Sequence, residues 1–249
     1  AGRAGRAQVA QCKAEEYVPH NAERHIISYG SPRQEGVKGS DVVSTAGDGP
    51  GNGDSIAPAI SGDGRYVAFR SGAANLVPGD GNGAADIFRH DLREGEMVRV
   101  SVAGTGAQAD SPSAEPAISP DGRYVAFTST ATNLVPGDTN GVPDVFLRDL
   151  AAETTRRVSV TATGVGGDGT SGAPSVAAGG RYVAFRSAAT NLVPGDDNGQ
   201  PDIFIKDLDT GALHRIGGAD GASEAPDLSA DGRYVSFQGR ATDLVTPDT

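Results

Sequence analysis

Ser119-Pro-Asp-Gly-Arg-Tyr-Val-Ala-Phe127, followed after a loop by Asp144-Val-Phe-Leu-Arg-Asp-Leu150, is one copy of a sentence that the chain repeats. Gly-Arg-Tyr-Val-Ala-Phe recurs at Gly64–Phe69, Gly122–Phe127 and Gly180–Phe185, and Gly232–Phe237 reads the same with Ser in place of Ala. The copies start 58, 58 and 52 residues apart. After the first three come Asn-Leu-Val-Pro-Gly-Asp (from Asn75, Asn133 and Asn191), then Asn-Gly, then Asp-Ile/Val-Phe (from Asp86, Asp144 and Asp202). A repeat of this size is one supersecondary unit that buries its apolar face only by stacking on its neighbours.

Each copy reads as four short strands. In the second, Glu115–Ser119 is a strand and Pro120-Asp-Gly122 a tight turn whose Gly reaches positive φ without steric cost. Arg123–Thr128, Val145–Arg148 and Thr155–Val160 are the next three strands, and a Gly- and Ser-rich connector leads to the next copy. No segment carries an apolar stripe of 3.6-residue period, so very little helix is expected. All seven Phe fall in two repeat columns, and Tyr66, Tyr124, Tyr182 and Tyr234 form a third. Columns of this kind are packing layers between stacked sheets. Four antiparallel strands per unit, arranged radially, make an all-β fold of the β-propeller type.

Ser119–Phe127 with Asp144–Leu150 resembles the PD40, or WD40-like, repeats of TolB-type propellers, and the resemblance covers roughly residues 41 to 249. It implies blade type rather than activity. Relatives of that kind include scaffolds that bind a partner protein, gating domains of peptidases, and a few lyases. The period here exceeds the usual blade of about 40–50 residues, and the copies are fewer than six.

Three complete blades are expected at about 57–102, 115–160 and 173–216, with a fourth begun at Ala225. Asp41–Gly47 aligns with the fourth strand of a blade, and Arg24–Tyr29 suits a third strand. An open sheet edge invites aggregation, which favours closure of the two ends into one composite blade and a ring of four. The alternative is a fragment of a larger, for instance six-bladed, propeller. Residues 1–23 form an extension outside the repeat, with a basic low-complexity start, and 24–249 form the propeller domain.

The 249 residues carry a net charge of −11, with 18 Arg and 3 Lys spread through the repeat, which argues against nucleic-acid binding. No apolar run approaches the roughly 20 residues of a membrane span. Cys12 is the only cysteine, so no internal disulfide forms. The start at Ala1, without Met, suits a removed signal peptide and a secreted or periplasmic address.

The polar motif with most chemical content is the loop between the second and third strands. Asp80, Asn82 and Asp86, then Asp138, Asn140 and Asp144, then Asp196, Asn198 and Asp202, place oxygen ligands around a Gly turn in the manner of a shortened calcium loop. The EF-hand pattern is incomplete, without a Glu at position 12. The bland alternative is that Asp, Asn and Gly form turns and the last Asp bonds its own loop. The Arg column at 65, 123, 181 and 233 reads as structural, paired with the Asp of the strand that follows; His90, in the column of Arg148 and Lys206, reads as a blade-surface residue.

No nucleophile elbow, Walker loop or dinucleotide fingerprint occurs. The expectation is a non-catalytic scaffold that engages a protein or peptide through the loop face around the central channel, with calcium as stabiliser. A metal-assisted lyase or hydrolase, and a component that self-associates through the N-terminal arm or an incomplete blade, are the alternatives.

Overall fold

The computed structural model describes residues 27–29, 40–46, 49–217 and 220–241. Three four-stranded antiparallel sheets carry the repeat. The first blade is β5 (Ser55–Ile60), β6 (Tyr66–Ser71), β7 (Asp86–Asp91) and β8 (Met97–Arg99). The second is β9 (Ser113–Ile118), β10 (Tyr124–Ser129), β11 (Asp144–Asp149) and β12 (Thr154–Arg157), and the third is β13 (Ser171–Val176), β14 (Tyr182–Ser187), β15 (Asp202–Asp207) and β16 (Leu213–Ile216). β17 (Ser223–Leu228) and β18 (Val235–Gly239) make a further first-and-second-strand pair. Among the described residues the only helical element is a three-residue turn at Ala178–Gly180. The fold is a partial β-propeller, as the repeat predicts.

The strands read Val-Ala-Phe rather than apolar–polar because each blade is covered on both faces by its neighbours. Phe69 pairs with Phe88, Phe127 with Phe146 and Phe185 with Phe204 across the second and third strands, each pair stacked with centroids 5.7–5.9 Å apart. All six rings are fully buried. Phe127 and Phe146 then pack on Ala68, Ile87 and Val100 of the preceding blade, and Phe185 and Phe204 on Ala126, Val145 and Val158. The layers thus lie between sheets, where the aromatic columns put them.

A second contact repeats at the inner turns. Tyr66, Tyr124 and Tyr182 each lie over the turn glycine of the next blade, so that a Cβ on Gly122, Gly180 or Gly232 would overlap the ring. Those glycines also have φ near +70°, a conformation that disfavours any side chain.

At the N-terminal side, β1 (Ile27–Tyr29) pairs with β2 (Ser40–Val42), and β3 (Thr45–Ala46) with β4 (Gly49–Pro50). Val43 sits against Val67, Phe69 and Phe88, which is the position that Val100 and Val158 hold for the later blades. The assignment of this segment to a fourth strand is therefore sound. The composite closing blade is not what the pairing shows: β1–β2 is a sheet of its own, and β18 is hydrogen-bonded to β17 alone among the described residues. Ile27-Ser-Tyr29 lacks the Asp-Ile/Val-Phe of a third strand and so has no Phe to set opposite Phe237. Residues 1–23, with Cys12, and the end of the fourth copy at Pro247–Thr249 lie outside the described residues.

Candidate functional site

The loop between the second and third strands is built the same way in each blade. Asn82 Oδ1 accepts from Ala84 N, closing the turn, and its Nδ2 donates to Asp86 Oδ2 at 3.0 Å and to the Ala109 carbonyl at 3.0 Å. Asn140 does the same with Val142, Asp144 and Gly167. Asp86 and Asp144 are fully buried, and each accepts a hydroxyl hydrogen on Oδ1, from Ser101 and Ser159. Ser101 and Ser159 in turn accept the amides of Ile87 and Val145.

The charge in the loop is met by an arginine of the fourth strand, which reaches back between both carboxylates. Arg157 Nη1 stands 3.0 Å from Asp138 Oδ1 and 3.3 Å from Asp144 Oδ2. Arg99 lies 3.4 Å from Asp80 and 3.7 Å from Asp86, and Arg215 lies 2.7 Å from Asp196 and 3.5 Å from Asp202. Burial raises the Asp86 and Asp202 carboxyls above the usual carboxylate range; Asp138 is raised by burial and by the neighbouring Asp144. All nine sequence-predicted ligands thus gather in their loops, yet the carboxylates converge on a guanidinium, and in all three loops the Asn oxygen faces the turn amide. The donor set as arranged does not fit Ca²⁺, which needs 6–8 oxygens converging on one point. Among the described residues no three His, Cys, Asp or Glu side chains gather as a metal group.

Arg99, Arg157 and Arg215, and Ser101 with Ser159, were not singled out in the sequence, although their spacing of 58 residues carried the signal. The other arginine column behaves as expected: Arg65, Arg123 and Arg181 bind Asp91, Asp149 and Asp207 at 2.6–2.8 Å. These hydrogen bonds hold the Asp91 and Asp149 carboxyls down at about 2, and lower Asp207 as well.

The column of His90 departs from the surface position expected for it. Arg148 and Lys206 are buried and donate to main-chain carbonyls of the connector from the preceding blade: Arg148 Nη1 to Ala103, and Lys206 Nζ to Val160 and Thr161. They satisfy acceptors that a packed connector would otherwise bury unpaired. The connectors are tied a second time, since Asn75, Asn133 and Asn191 bind the segments at 50–52, 108–110 and 166–168.

The concave surface lies on the axis instead. First strands β5, β9, β13 and β17 line a cavity of about 580 Å³ toward the tight-turn end, walled by Ile60, Pro116, Ile118, Pro174, Val176 and Pro226. In each of these strands the residue before Pro has positive φ (Ala57, Glu115, Ala173, Ala225), and the register shifts there. Glu115 is the one acidic member of that column: its Oε2 accepts from Thr128 Oγ1 at 2.8 Å and from Ala173 N at 2.7 Å, joining the second blade to the third.

No family model and no curated protein matches the chain. Solved structures do. TolB from Acinetobacter baumannii is 21% identical, with TM-score 0.49, over 80% of this chain and 40% of that one. Porphyromonas gingivalis dipeptidyl peptidase 4 is 13% identical, with TM-score 0.50, over 87% and 33%. The beta-propeller domain of the Trilobed protease from Pyrococcus furiosus is 14% identical, with TM-score 0.42, over 75% and 53%. The chain therefore spans about half or less of the length of these structures, and the likeness is one of fold. Among the described residues no helix is long and apolar enough to cross a membrane.

Proposed function

We propose that the protein is a non-catalytic scaffold that binds a protein or peptide partner in the axial channel. The single observation behind this is the cavity of about 580 Å³ to which all four first strands contribute apolar side chains. A pocket of that size, apolar with few polar groups, suits an extended segment of a partner. The net charge of −11 favours segments that are basic as well as apolar. The long loops are less suited to the task, because their Asp, Asn and Arg side chains are spent on one another. Display of random peptides against the protein tests this: apolar and basic sequences are expected, and Ile60→Trp, an exposed position in the cavity lining that a larger ring would fill, abolishes their binding. Binding that survives Ile60→Trp, or turnover of a substrate, overturns the reading.

The same proposal assigns the Asp-x-Asn-Gly loops to architecture, with arginine in the place where the sequence suggested calcium. Ca²⁺ titration then leaves the melting temperature unchanged; a rise that Asp138→Asn removes restores calcium. An extracytoplasmic address belongs to this proposal and is checked by fractionating cells that make the full-length protein.

A further inference from the structure

Successive blades meet along seams that can be compared directly, since each sets the second strand of one blade against the first strand of the next. In the seam between the second and third blades a carboxylate closes the gap. Glu115 Oε2 accepts from Thr128 Oγ1 at 2.8 Å and from Ala173 N at 2.7 Å. Gly172 leaves room for it, because a Cβ there would lie 2.8 Å from that oxygen. The backbone is alike at the other two seams, with φ of 49–52° at Ala57, Glu115, Ala173 and Ala225 and a register shift beside each.

The side chains differ. In the first seam Ala57 stands in the place of Glu115 and Arg70 in that of Thr128; in the third, between β14 and β17, Ala173 and Arg186 take those places. A guanidinium is present in both, and the carboxylate is gone. Arg70 still finds an acceptor, its Nε donating to the Ser113 carbonyl at 3.2 Å. Arg186 does not. Its Nε is buried without a partner, and among the described residues it makes no hydrogen bond or ion pair, although Glu224 stands on the facing strand. By contrast Arg99, Arg157 and Arg215 each meet two carboxylates. A buried donor without an acceptor is costly, and the planar fork of arginine matches a carboxylate in shape and charge.

This seam continues the axial cavity. Pro174 and Pro226, which line the cavity, directly follow Ala173 and Ala225. The net charge of −11 selects against acidic side chains, so the carboxylate that a bound segment still carries is that of its own C-terminus. We propose that Arg186, with the main-chain amide of Ala225, receives the C-terminal carboxylate of the segment held in the axial cavity, as Thr128 and Ala173 N receive Glu115. Capture of a terminal carboxylate by main-chain amides is a recurring mode of peptide recognition. The site depends on the cavity as the seat of the partner and adds a direction to it, with the partner's C-terminus toward the connectors.

Two pools of random hexapeptides, both acetylated at the N-terminus, test this: one ends in a free carboxylate and the other in an amide. Each is equilibrated with the full chain, and retained peptides are counted by mass spectrometry. The free-carboxylate pool is expected to be retained about 10-fold more, the value of one hydrogen bond between charged groups. Arg186→Gln removes that preference, Arg186→Lys keeps part of it, and Arg70→Gln leaves it intact. Arg186 makes no bond in the free chain, so Arg186→Gln leaves the melting temperature unchanged or raises it. Equal retention of the two pools by the parent, or a preference that survives Arg186→Gln, overturns the carboxylate site while leaving the cavity as the binding site. Retention of neither pool overturns both.

Discussion

Gly122-Arg-Tyr-Val-Ala-Phe127 and Gly232-Arg-Tyr-Val-Ser-Phe237 are nearly the same six residues in two different situations. In the second blade Phe127 is fully buried and stacked on Phe146. In the last pair Phe237 is half-buried and Tyr234 lies open. The hexapeptide forms a strand in both, but its burial comes from the third strand beside it and the blade in front. Two serines are lost in the same direction. Ser113 bonds Ser129 in the second blade, whereas Ser223 faces Gly239 and its hydroxyl has no partner. Ser159 caps Asp144, whereas Gly217 stands at that position in the third repeat and leaves Asp202 Oδ1 buried without a hydrogen bond. Among the described residues the repeat is thus more fully satisfied in the second blade than in the third or in the β17–β18 pair.

The largest expected effect contrasts the two phenylalanines. Phe127→Ala removes a ring buried on all sides and costs about 3–5 kcal/mol, measured by chemical denaturation. Phe237→Ala gives up a half-exposed ring and costs markedly less; equal losses would break the comparison.

A smaller effect comes from copying the third repeat into the second. Ser159→Gly strips Asp144 of its hydroxyl donor and Val145 N of its acceptor, with an expected cost of about 1–3 kcal/mol. No loss would mean that the clamp is held by Arg157 alone.

The smallest is electrostatic. Asp149 titrates at about 2 in the folded chain against an ordinary 3.8. Its folded value is depressed, so it contributes stability above about pH 4 that is lost as pH falls toward 2. Arg123 is 45% exposed, so solvent screens the pair and the contribution is modest. Asp149→Asn therefore lowers the melting temperature slightly at neutral pH, and variant and parent converge near pH 2. Asp86, Asp138 and Asp202 have raised values and act oppositely, becoming less costly as they take up protons in acid.

The blades were legible in the sequence because one pattern recurs at fixed spacing and each aromatic column corresponds to one packing layer. The Arg65, Arg123 and Arg181 pairs were legible for the same reason. The Asp-x-Asn-Gly loop was only half legible. Its own residues are contiguous, but the guanidinium that completes it lies on the fourth strand, 19 residues after Asp138 in the case of Arg157, and only the folded sheet brings them together. Burial of Arg148 and Lys206 was hidden likewise, since nothing local shows that a connector will close over them. Closure depended on pairing between distant strands, which no local pattern encodes.

The most direct test is amide hydrogen exchange followed by mass spectrometry, comparing Tyr124–Ser129 with Val235–Gly239. If neighbouring blades supply the stability of each unit, the first segment exchanges only with global unfolding and the second far sooner. Equal protection of the two segments would contradict it.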